Sequence, residues 1–171
     1  MKGENDVLRI EPINRKHQRK AFTCAKPDLA SYLQKHARQN DDKNIAKTFV
    51  AVDDADIVHG YYSLSTSSIE FKNIPPEHSK GLPSYPIPAV LIGKLAVASD
   101  SEGEGLGSQL LINALQRILR ASEQMAIKVV LVDAIDEEAK GYYLRFGFIE
   151  IAGHSLKLFL PIETIEMLFK K

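Results

Sequence analysis

Hydrophobic residues follow two kinds of spacing along this chain, and each kind predicts a different secondary-structure element. Short apolar runs bounded by turn residues predict buried strands, and the run at residues 89–97 is the clearest example. Apolar residues three and four positions apart predict an amphipathic helix over residues 106–121. The whole pattern predicts strands at residues 7–13, 48–52, 57–65, 89–97, 127–134, 148–151 and 155–160, and helices at residues 28–38, 77–80, 106–121, 137–145 and 162–169.

Three residues add local detail to this pattern. Gly60 interrupts the strand at residues 57–65 and indicates a β-bulge there. Asp136 stands where it can cap the helix at residues 137–145, and Gly147 stands where it can end that helix.

Composition limits the class of protein. The chain has 171 residues, of which 44% are hydrophobic, and this predicts one globular domain over residues 1–171. Cys24 is the only cysteine, so no internal disulfide can form and a cytoplasmic setting follows. Residues 1–6 lack the apolar segment of a secretory signal, and no run approaches the ~18 apolar residues of a membrane span.

The most informative segment is Glu102–Gly107, in which glycines separate a predicted strand from a predicted helix. Glycines let successive main-chain N–H groups converge on one point, and a helix N-terminus adds partial positive charge. The segment therefore predicts a site for a phosphorylated cofactor. A nucleoside triphosphatase loop would have Lys followed by Ser or Thr where this chain has Ser108 and Gln109, and a dinucleotide fold would place its glycines after the first strand. Both alternatives fit poorly.

Two motifs in the chain resemble those of the Gcn5-related N-acetyltransferase (GNAT) family. The cofactor motif of that family is Gln or Arg, two residues, Gly, one residue, and Gly or Ala, and Glu102, Gly105 and Gly107 fall on it. Its second motif is a Phe-Tyr pair before a Phe-Gly-Phe turn, which Tyr142–Phe148 matches with Tyr142 in the Phe place. The resemblance implies a single α/β domain with a central mixed, mostly antiparallel sheet, splayed between its fourth and fifth strands, with helices on both faces. It also implies acetyl-CoA as the cofactor.

The same resemblance implies roles for individual residues. Main-chain groups of Leu95–Val97 would pair with the pantetheine arm, and the N–H of Val97 would polarise the thioester carbonyl. Tyr143 would be the general acid for the leaving sulfur, although its helix position alone equally fits a packed core tyrosine. The implied catalytic residues are Tyr143 and Val97, and the implied cofactor-binding residues are Leu95, Ala96, Val97, Glu102, Gly103, Glu104, Gly105, Leu106, Gly107, Ser108, Asp136 and Tyr143.

Glu102 departs from the family motif, which has Gln or Arg at this place. With Asp100 and Glu104 it puts three carboxylates near the expected diphosphate, and like charges repel. The main-chain N–H groups are unaffected, so we expect binding with lowered affinity. A catalytically weak coenzyme A-binding module is the alternative function that this departure leaves open.

Further stretches resemble the acetyltransferase toxins of bacterial toxin–antitoxin pairs. They are residues 28–33, 48–52, 60–64, 86–97 and 132–134. This resemblance implies acetylation of the amino group of aminoacyl-tRNA, which blocks translation, and a ribbon-helix-helix antitoxin as partner. An acetyltransferase for a small amine or a protein N-terminus remains the alternative.

Charge is balanced in total but not in its distribution. The chain has 22 basic and 22 acidic residues, yet basic residues dominate residues 15–47. In the toxin interpretation this surface contacts tRNA phosphates, in a homodimer, whereas charge alone favours solvated helix faces. The candidate RNA-binding residues are Arg15, Lys16, Arg19, Lys20, Arg38 and Lys80.

No metal is predicted, because the histidines at positions 17, 36 and 154 have no ligand spacing with Cys24 or with one another. No general base stands out either. An α-amino group is substantially neutral near pH 7 and needs little help, and His59, Glu70 and His78 are candidates to act through water.

Overall fold

The computed structural model describes residues 7–170 of the chain. Residues 1–6, on which the predicted lack of a secretory signal depends, lie outside the described residues. The strands are β1 (Arg9–Pro12), β2 (Lys47–Val52), β3 (Val58–Ile69), β4 (Ile87–Val97), β5 (Val129–Asp133), β6 (Ile149–Ile151) and β7 (His154–Pro161). The helices are α1 (Pro27–Lys35), α2 (Ala37–Asp42), α3 (Pro76–Ser79), α4 (Leu106–Ala121), α5 (Glu137–Phe146) and α6 (Ile162–Leu168).

The seven strands form a mixed sheet in the order β1-β2-β3-β4-β5-β7-β6. β4 and β5 are parallel, whereas β1–β2, β2–β3, β5–β7 and β6–β7 are antiparallel. Ala89–Ile92 of β4 pair with Val129–Val132 of β5, and β4 then runs on to Val97. The predicted α/β class and the mostly antiparallel sheet are therefore confirmed, and β4 continues beyond its pairing with β5 where the splay is expected.

Contacts within the chain divide it into two compact units, and the prediction of one domain stays a prediction. The first unit contains the described residues up to Ser65 together with Lys94–Ala114. Neighbouring residues of β3 reach helices on opposite faces in this unit: the Tyr61 hydroxyl donates to the Leu29 carbonyl of α1 at 2.6 Å, and the Tyr62 hydroxyl donates to Asn113 Oδ1 of α4 at 2.6 Å. The core on the α1 side contains Leu33, Ala37, Val50, Val52, Tyr61 and Ala96.

Gly60 lets α4 approach β3 closely. A Cβ atom at this position would lie 2.9 Å from Leu110 Cδ1 and 3.0 Å from the Ala96 carbonyl oxygen. The predicted bulge lies one residue earlier than expected, because Ala51 pairs with Gly60 and Val52 pairs with Val58, which leaves His59 as the extra residue. Gly60 therefore permits the close packing of α4, and the bulge changes the direction of the His59 side chain.

The second unit contains Thr66–Gly93 and the described residues from Leu115 onward. Its apolar core joins Ile87 and Ala89 of β4 to Val129, Leu131 and Phe159. Helix α5 has the predicted ends: Asp136 Oδ1 accepts the main-chain N–H of Ala139 at 2.9 Å, and Gly147 adopts a φ of +112° just after the last turn.

Two predicted elements differ from the structure for identifiable reasons. The predicted helix at residues 28–38 is two helices, because the chain bends at His36 (φ −125°) and α2 then reaches Asp42. The Asp41 carboxylate accepts the Thr48 main-chain N–H at 3.0 Å, so a contact with β2 stabilises this polar turn. Strand β3 runs four residues past Ser65 to Ile69, through a polar serine-rich stretch that carries no hydrophobic signal.

Candidate active site

The glycine turn is built by main-chain conformation. After a 3₁₀ turn at Ser99–Ser101, Gly103 and Gly105 adopt φ values of +79° and +80°, and α4 begins at Leu106. These are left-handed conformations that residues with a Cβ rarely adopt. A Cβ at either glycine would meet no atom within 4 Å, so the outer side of the turn is open. The turn thus presents main-chain groups and the start of a 16-residue helix to a ligand.

The acidic side chains of this turn are directed to solvent. Asp100, Glu102 and Glu104 are exposed, whereas Leu106 is only 4% exposed and fixes the first turn of α4 in the core. Solvent and salt screen exposed charges strongly. We therefore expect these carboxylates to repel a diphosphate only moderately.

The end of β4 precedes the glycine turn and belongs to the same unit. Ala96 is buried in the core on the α1 side, whereas Leu95 and Val97 are partly exposed. The Lys94 ammonium lies 4.6 Å from the centroid of the Tyr32 ring, a cation–π contact with α1.

Tyr143 lies in the second unit, on α5, and is 7% exposed. Its ring makes edge contacts with Tyr142 and Phe148 at centroid distances of 5.6 and 5.4 Å. Burial, and then the neighbouring Tyr142, raise the pKa of the Tyr143 phenol. The phenol therefore stays protonated at neutral pH, which suits a proton donor. Asp136, the other predicted cofactor residue of this unit, uses its side chain to cap α5.

Four of the predicted RNA-binding residues line one cavity of about 640 Å³ in the first unit: Arg15, Lys16, Arg19 and Lys20. Arg19 donates to the Leu33 carbonyl at 3.2 Å, while burial and then Arg38 lower the pKa of its guanidinium. The sequence predicted the basic character of this segment but not the cavity. Of the other two candidates, Arg38 lies on α2 and Lys80 directly follows α3 in the second unit.

Sequence reasoning missed a buried polar chain beside the glycine turn. His59 Nε2 lies 2.7 Å from Asp53 Oδ2, and His59 Nδ1 lies 3.1 Å from the Ser101 hydroxyl. Asp53 and His59 lie six residues apart across the β2–β3 hairpin, whereas Ser101 lies 42 residues beyond His59 and is brought to it only by the turn after β4. No spacing signal in the sequence could have found them.

A possible set of metal ligands also exists near β1. Ligand atoms of Glu11, His17 and Asp56 lie within 4.8 Å of one another. Both carboxylates already pair with cations, Glu11 with Arg9 at 3.6 Å and Lys16 at 3.5 Å, and Asp56 with Arg9 at 2.9 Å. The predicted lack of a metal stays a prediction. Among the described residues, none of the helices has the length and apolarity to cross a membrane.

Comparison with known proteins decides the family. The family described as "Acetyltransferase (GNAT) domain" matches residues 44–150. The chain belongs to the GNAT acetyltransferase family. It is 33% identical over 128 residues to the tRNA-acetylating toxin of Mycobacterium tuberculosis, covering 75% of this chain and 76% of that protein. It is 32% identical over 169 residues to a Sinorhizobium fredii protein named "Probable toxin TacT", covering 93% of each.

Solved structures have the same fold. A Tyr-to-Phe mutant of KacT matches with a TM-score of 0.91 at 31% identity, over 95% of this chain and 99% of that one. AtaT complexed with acetyl-methionyl-tRNAfMet matches with a TM-score of 0.90 at 28% identity, over 95% and 99%. An AtaT mutant bound to the C-terminus of the antitoxin AtaR and to acetyl-CoA matches with a TM-score of 0.83 at 27% identity, over 97% and 100%. The GNAT fold predicted from the two motifs is thus confirmed.

Proposed function

We propose that the protein is an acetyl-CoA-dependent N-acetyltransferase that acetylates the amino group of aminoacyl-tRNA and acts as the toxin of a toxin–antitoxin pair. The open glycine turn at the start of α4, in a member of the GNAT family, is the observation that carries this proposal. The names of the relatives, which include a tRNA-acetylating toxin, favour charged tRNA over a small amine or a protein N-terminus as acceptor.

In this proposal the cofactor is bound mainly by the main chain. The N–H groups of residues 102–108 and the N-terminus of α4 bind the diphosphate, which the positive end of a helix favours. Main-chain groups of Leu95–Val97 pair with the pantetheine arm as an added strand would. The N–H of Val97 donates to the thioester carbonyl and stabilises the oxyanion of the tetrahedral intermediate.

The reaction needs a neutral amine and a protonated leaving group. The amine nitrogen attacks the thioester carbon, the C–S bond breaks, and the sulfur leaves as a thiolate that takes up a proton. An α-amino group has a pKa of about 7.7–8.0, so much of it is neutral near pH 7 without a dedicated base.

We assign the donation of that proton to the Tyr143 hydroxyl. A phenol with a raised pKa is a weak acid, so its proton moves fully only if the phenolate regains one at once. The attacking nitrogen, which becomes acidic as the C–N bond forms, is the source of that proton. Tyr143 therefore passes a proton from nitrogen to sulfur and ends the reaction neutral.

The basic cavity is proposed as a contact surface for tRNA phosphates. Three of its four basic residues, Arg15, Lys16 and Lys20, are exposed, and phosphate attraction of this kind gives affinity without sequence choice. Arg38 of the first unit is proposed to extend this surface, and Lys80 of the second unit is proposed as a further phosphate contact. We also propose a ribbon-helix-helix antitoxin as partner, a homodimer as the assembly, and the cytoplasm, where charged tRNA is used, as the location.

The experiment that tests the function uses labelled acetyl-CoA and charged tRNA. The proposal predicts label on the α-amino group of the aminoacyl ester and growth arrest on expression. Label on free amines or protein N-termini, with none on charged tRNA, would show that the protein is an acetyltransferase with a different acceptor. A second candidate, a coenzyme A-binding module with weak catalysis, is favoured by the acidic Glu102 and requires binding without transfer to any amine.

A further inference from the structure

A buried hydrogen-bond chain leads from the β2–β3 turn to the start of the glycine turn. Asp53 Oδ2 lies 2.7 Å from His59 Nε2, and His59 Nδ1 lies 3.1 Å from the Ser101 Oγ. Ser101 is 1% exposed and His59 is 8% exposed. This series of hydrogen bonds ends at Ser101, directly before Glu102, where the proposed diphosphate site begins.

The direction of each bond follows from the charge state of Asp53. Partial burial acts to raise the pKa of this carboxyl, but hydrogen bonds from His59 and from the main-chain N–H groups of Ile57 and Ala55 outweigh it and lower the pKa. In a neutral imidazole, the ionised carboxylate accepts the Nε2–H of His59 and Nδ1 is left as an acceptor. Ser101 therefore donates its hydroxyl proton to Nδ1, and its side chain has a fixed orientation.

The main chain adds to this attachment. The Ala98 N–H donates to the His59 carbonyl at 2.8 Å, and the Ser101 N–H donates to the Ala98 carbonyl at 2.9 Å. His59 is the extra residue of the β-bulge in β3, so its side chain departs from the regular alternation of side chains between the two faces of the sheet. Main-chain and side-chain bonds thus join the 3₁₀ turn to one point of β3.

The three residue types are those of a serine hydrolase triad, but the burial excludes that chemistry. A nucleophilic serine must be accessible to a substrate carbonyl, and Ser101 is 1% exposed. The Ser101 hydroxyl therefore fixes the start of the glycine turn and does not act as a nucleophile.

We propose that Asp53, His59 and Ser101 are positioning residues for cofactor binding, which fix the start of the glycine turn so that its main-chain N–H groups converge before acetyl-CoA arrives. Glycines lose more conformational entropy on ordering than other residues, so a turn that contains Gly103 and Gly105 binds weakly unless both its ends are held. The packing of Leu106 and α4 fixes the C-terminal end of the turn. The Asp53–His59–Ser101 hydrogen bonds fix its N-terminal end. This inference rests on the proposed function, because it assigns the diphosphate to this turn.

The direct test is the affinity for acetyl-CoA measured by calorimetry on the full chain. Ser101→Ala removes only the hydroxyl, and we expect binding about tenfold weaker, a raised KM for acetyl-CoA and a kcat within about twofold of wild type. Ser99→Ala is the matched control, because Ser99 lies in the same 3₁₀ turn, is exposed, and keeps its main-chain bond to the Thr23 carbonyl. We expect Ser99→Ala to bind like wild type.

Two substitutions at His59 distinguish a role in positioning Ser101 from a role in packing alone. Asn at this position offers a polar atom where Nδ1 lies, toward Ser101, whereas Gln offers one where Nε2 lies, toward Asp53. The proposal predicts that His59→Asn keeps more acetyl-CoA affinity than His59→Gln. A residue that only fills space would give the opposite order, because Gln is the larger side chain.

The outcomes are distinct. If wild type binds acetyl-CoA and Ser101→Ala binds equally well, or if His59→Gln exceeds His59→Asn, this inference is wrong and the proposed function stands. If wild type does not bind acetyl-CoA at millimolar concentration, the proposed function fails and this inference fails with it. Circular dichroism and thermal unfolding of each variant show that the compared proteins are folded.

Discussion

The glycine turn and Tyr143 achieve their proposed roles by opposite means. The turn is exposed and acts through its main chain, with Gly103 and Gly105 in conformations that side chains rarely permit. Tyr143 is buried and acts through one hydroxyl group, whose surroundings keep it protonated. On these proposed roles, a changed side chain such as Glu102 leaves the acting main-chain groups of the turn in place, whereas a change at Tyr143 removes the acting group itself. Changes at the two places should affect different kinetic constants.

Tyr143→Phe gives the largest expected effect. The variant keeps the edge contacts with Tyr142 and Phe148 and loses only the hydroxyl, so we expect a kcat lower by about 10²–10⁴-fold with unchanged acetyl-CoA affinity. Steady-state kinetics with charged tRNA and calorimetry with acetyl-CoA measure the two effects separately. Tyr142→Phe is the control and should remain active. A Tyr143→Phe variant with a wild-type kcat would show that the tyrosine is only part of the core.

Gly105→Ala tests the other side of the comparison. Alanine at a φ of +80° costs about 1–2 kcal/mol, and we expect a five- to thirtyfold loss of acetyl-CoA affinity as the turn leaves its binding conformation. Gly105→Asn should lose less, because asparagine tolerates this region better.

Gly153→Ala controls for the strain itself. Gly153 also has a φ of +80° with no atom within 4 Å of an added Cβ, but it lies in the turn before β7. We expect lower stability in that variant with unchanged cofactor affinity. Equal affinity losses in the two alanine variants would show that the glycine turn has no special role.

Substitutions in the basic cavity should have a smaller effect, and only on the binding of charged tRNA. Arg15→Gln combined with Lys20→Gln should raise the KM for charged tRNA several-fold and make its salt dependence shallower, by about one unit of slope for each phosphate that is no longer neutralised. Acetyl-CoA affinity should not change. Lys35→Gln, an exposed charge at the end of α1 that does not line the cavity, is the matched control. An equal effect of Lys35→Gln would mean that the charges form only a solvated surface.

Glu102→Gln gives the smallest expected effect. Removing one exposed charge beside a diphosphate should strengthen acetyl-CoA binding by no more than about threefold, and less at high salt. Calorimetry at two ionic strengths measures both values. Weaker binding in this variant would show that the carboxylate helps rather than hinders the cofactor.

The sequence predicted those parts of the molecule that depend on local patterns. Helix α4 covers residues 106–121 as its hydrophobic spacing indicates, and Asp136 and Gly147 end α5 as their residue types suggest. The family motifs gave the fold and the candidate cofactor turn, because a glycine turn is defined by neighbouring residues. These features need no knowledge of distant contacts.

Features that depend on distant contacts were not predictable. The Asp41 carboxylate bonds to Thr48, and this contact supports a second helix where the pattern indicated the end of one. The Asp53–His59–Ser101 chain exists only because a β-bulge turns His59 toward the turn after β4. The basic cavity likewise gathers Arg15, Lys16, Arg19 and Lys20 with residues of β3 and the turn after β4.

The central claim is that main-chain N–H groups of residues 102–108 bind the diphosphate of acetyl-CoA despite their acidic neighbours. A crystal structure of the protein soaked with acetyl-CoA tests it most directly. The account predicts diphosphate oxygens about 3 Å from the main-chain nitrogens of the turn, with Glu102 and Glu104 directed to solvent. A turn that stays vacant at saturating acetyl-CoA, or that is filled by its own carboxylates, would contradict it.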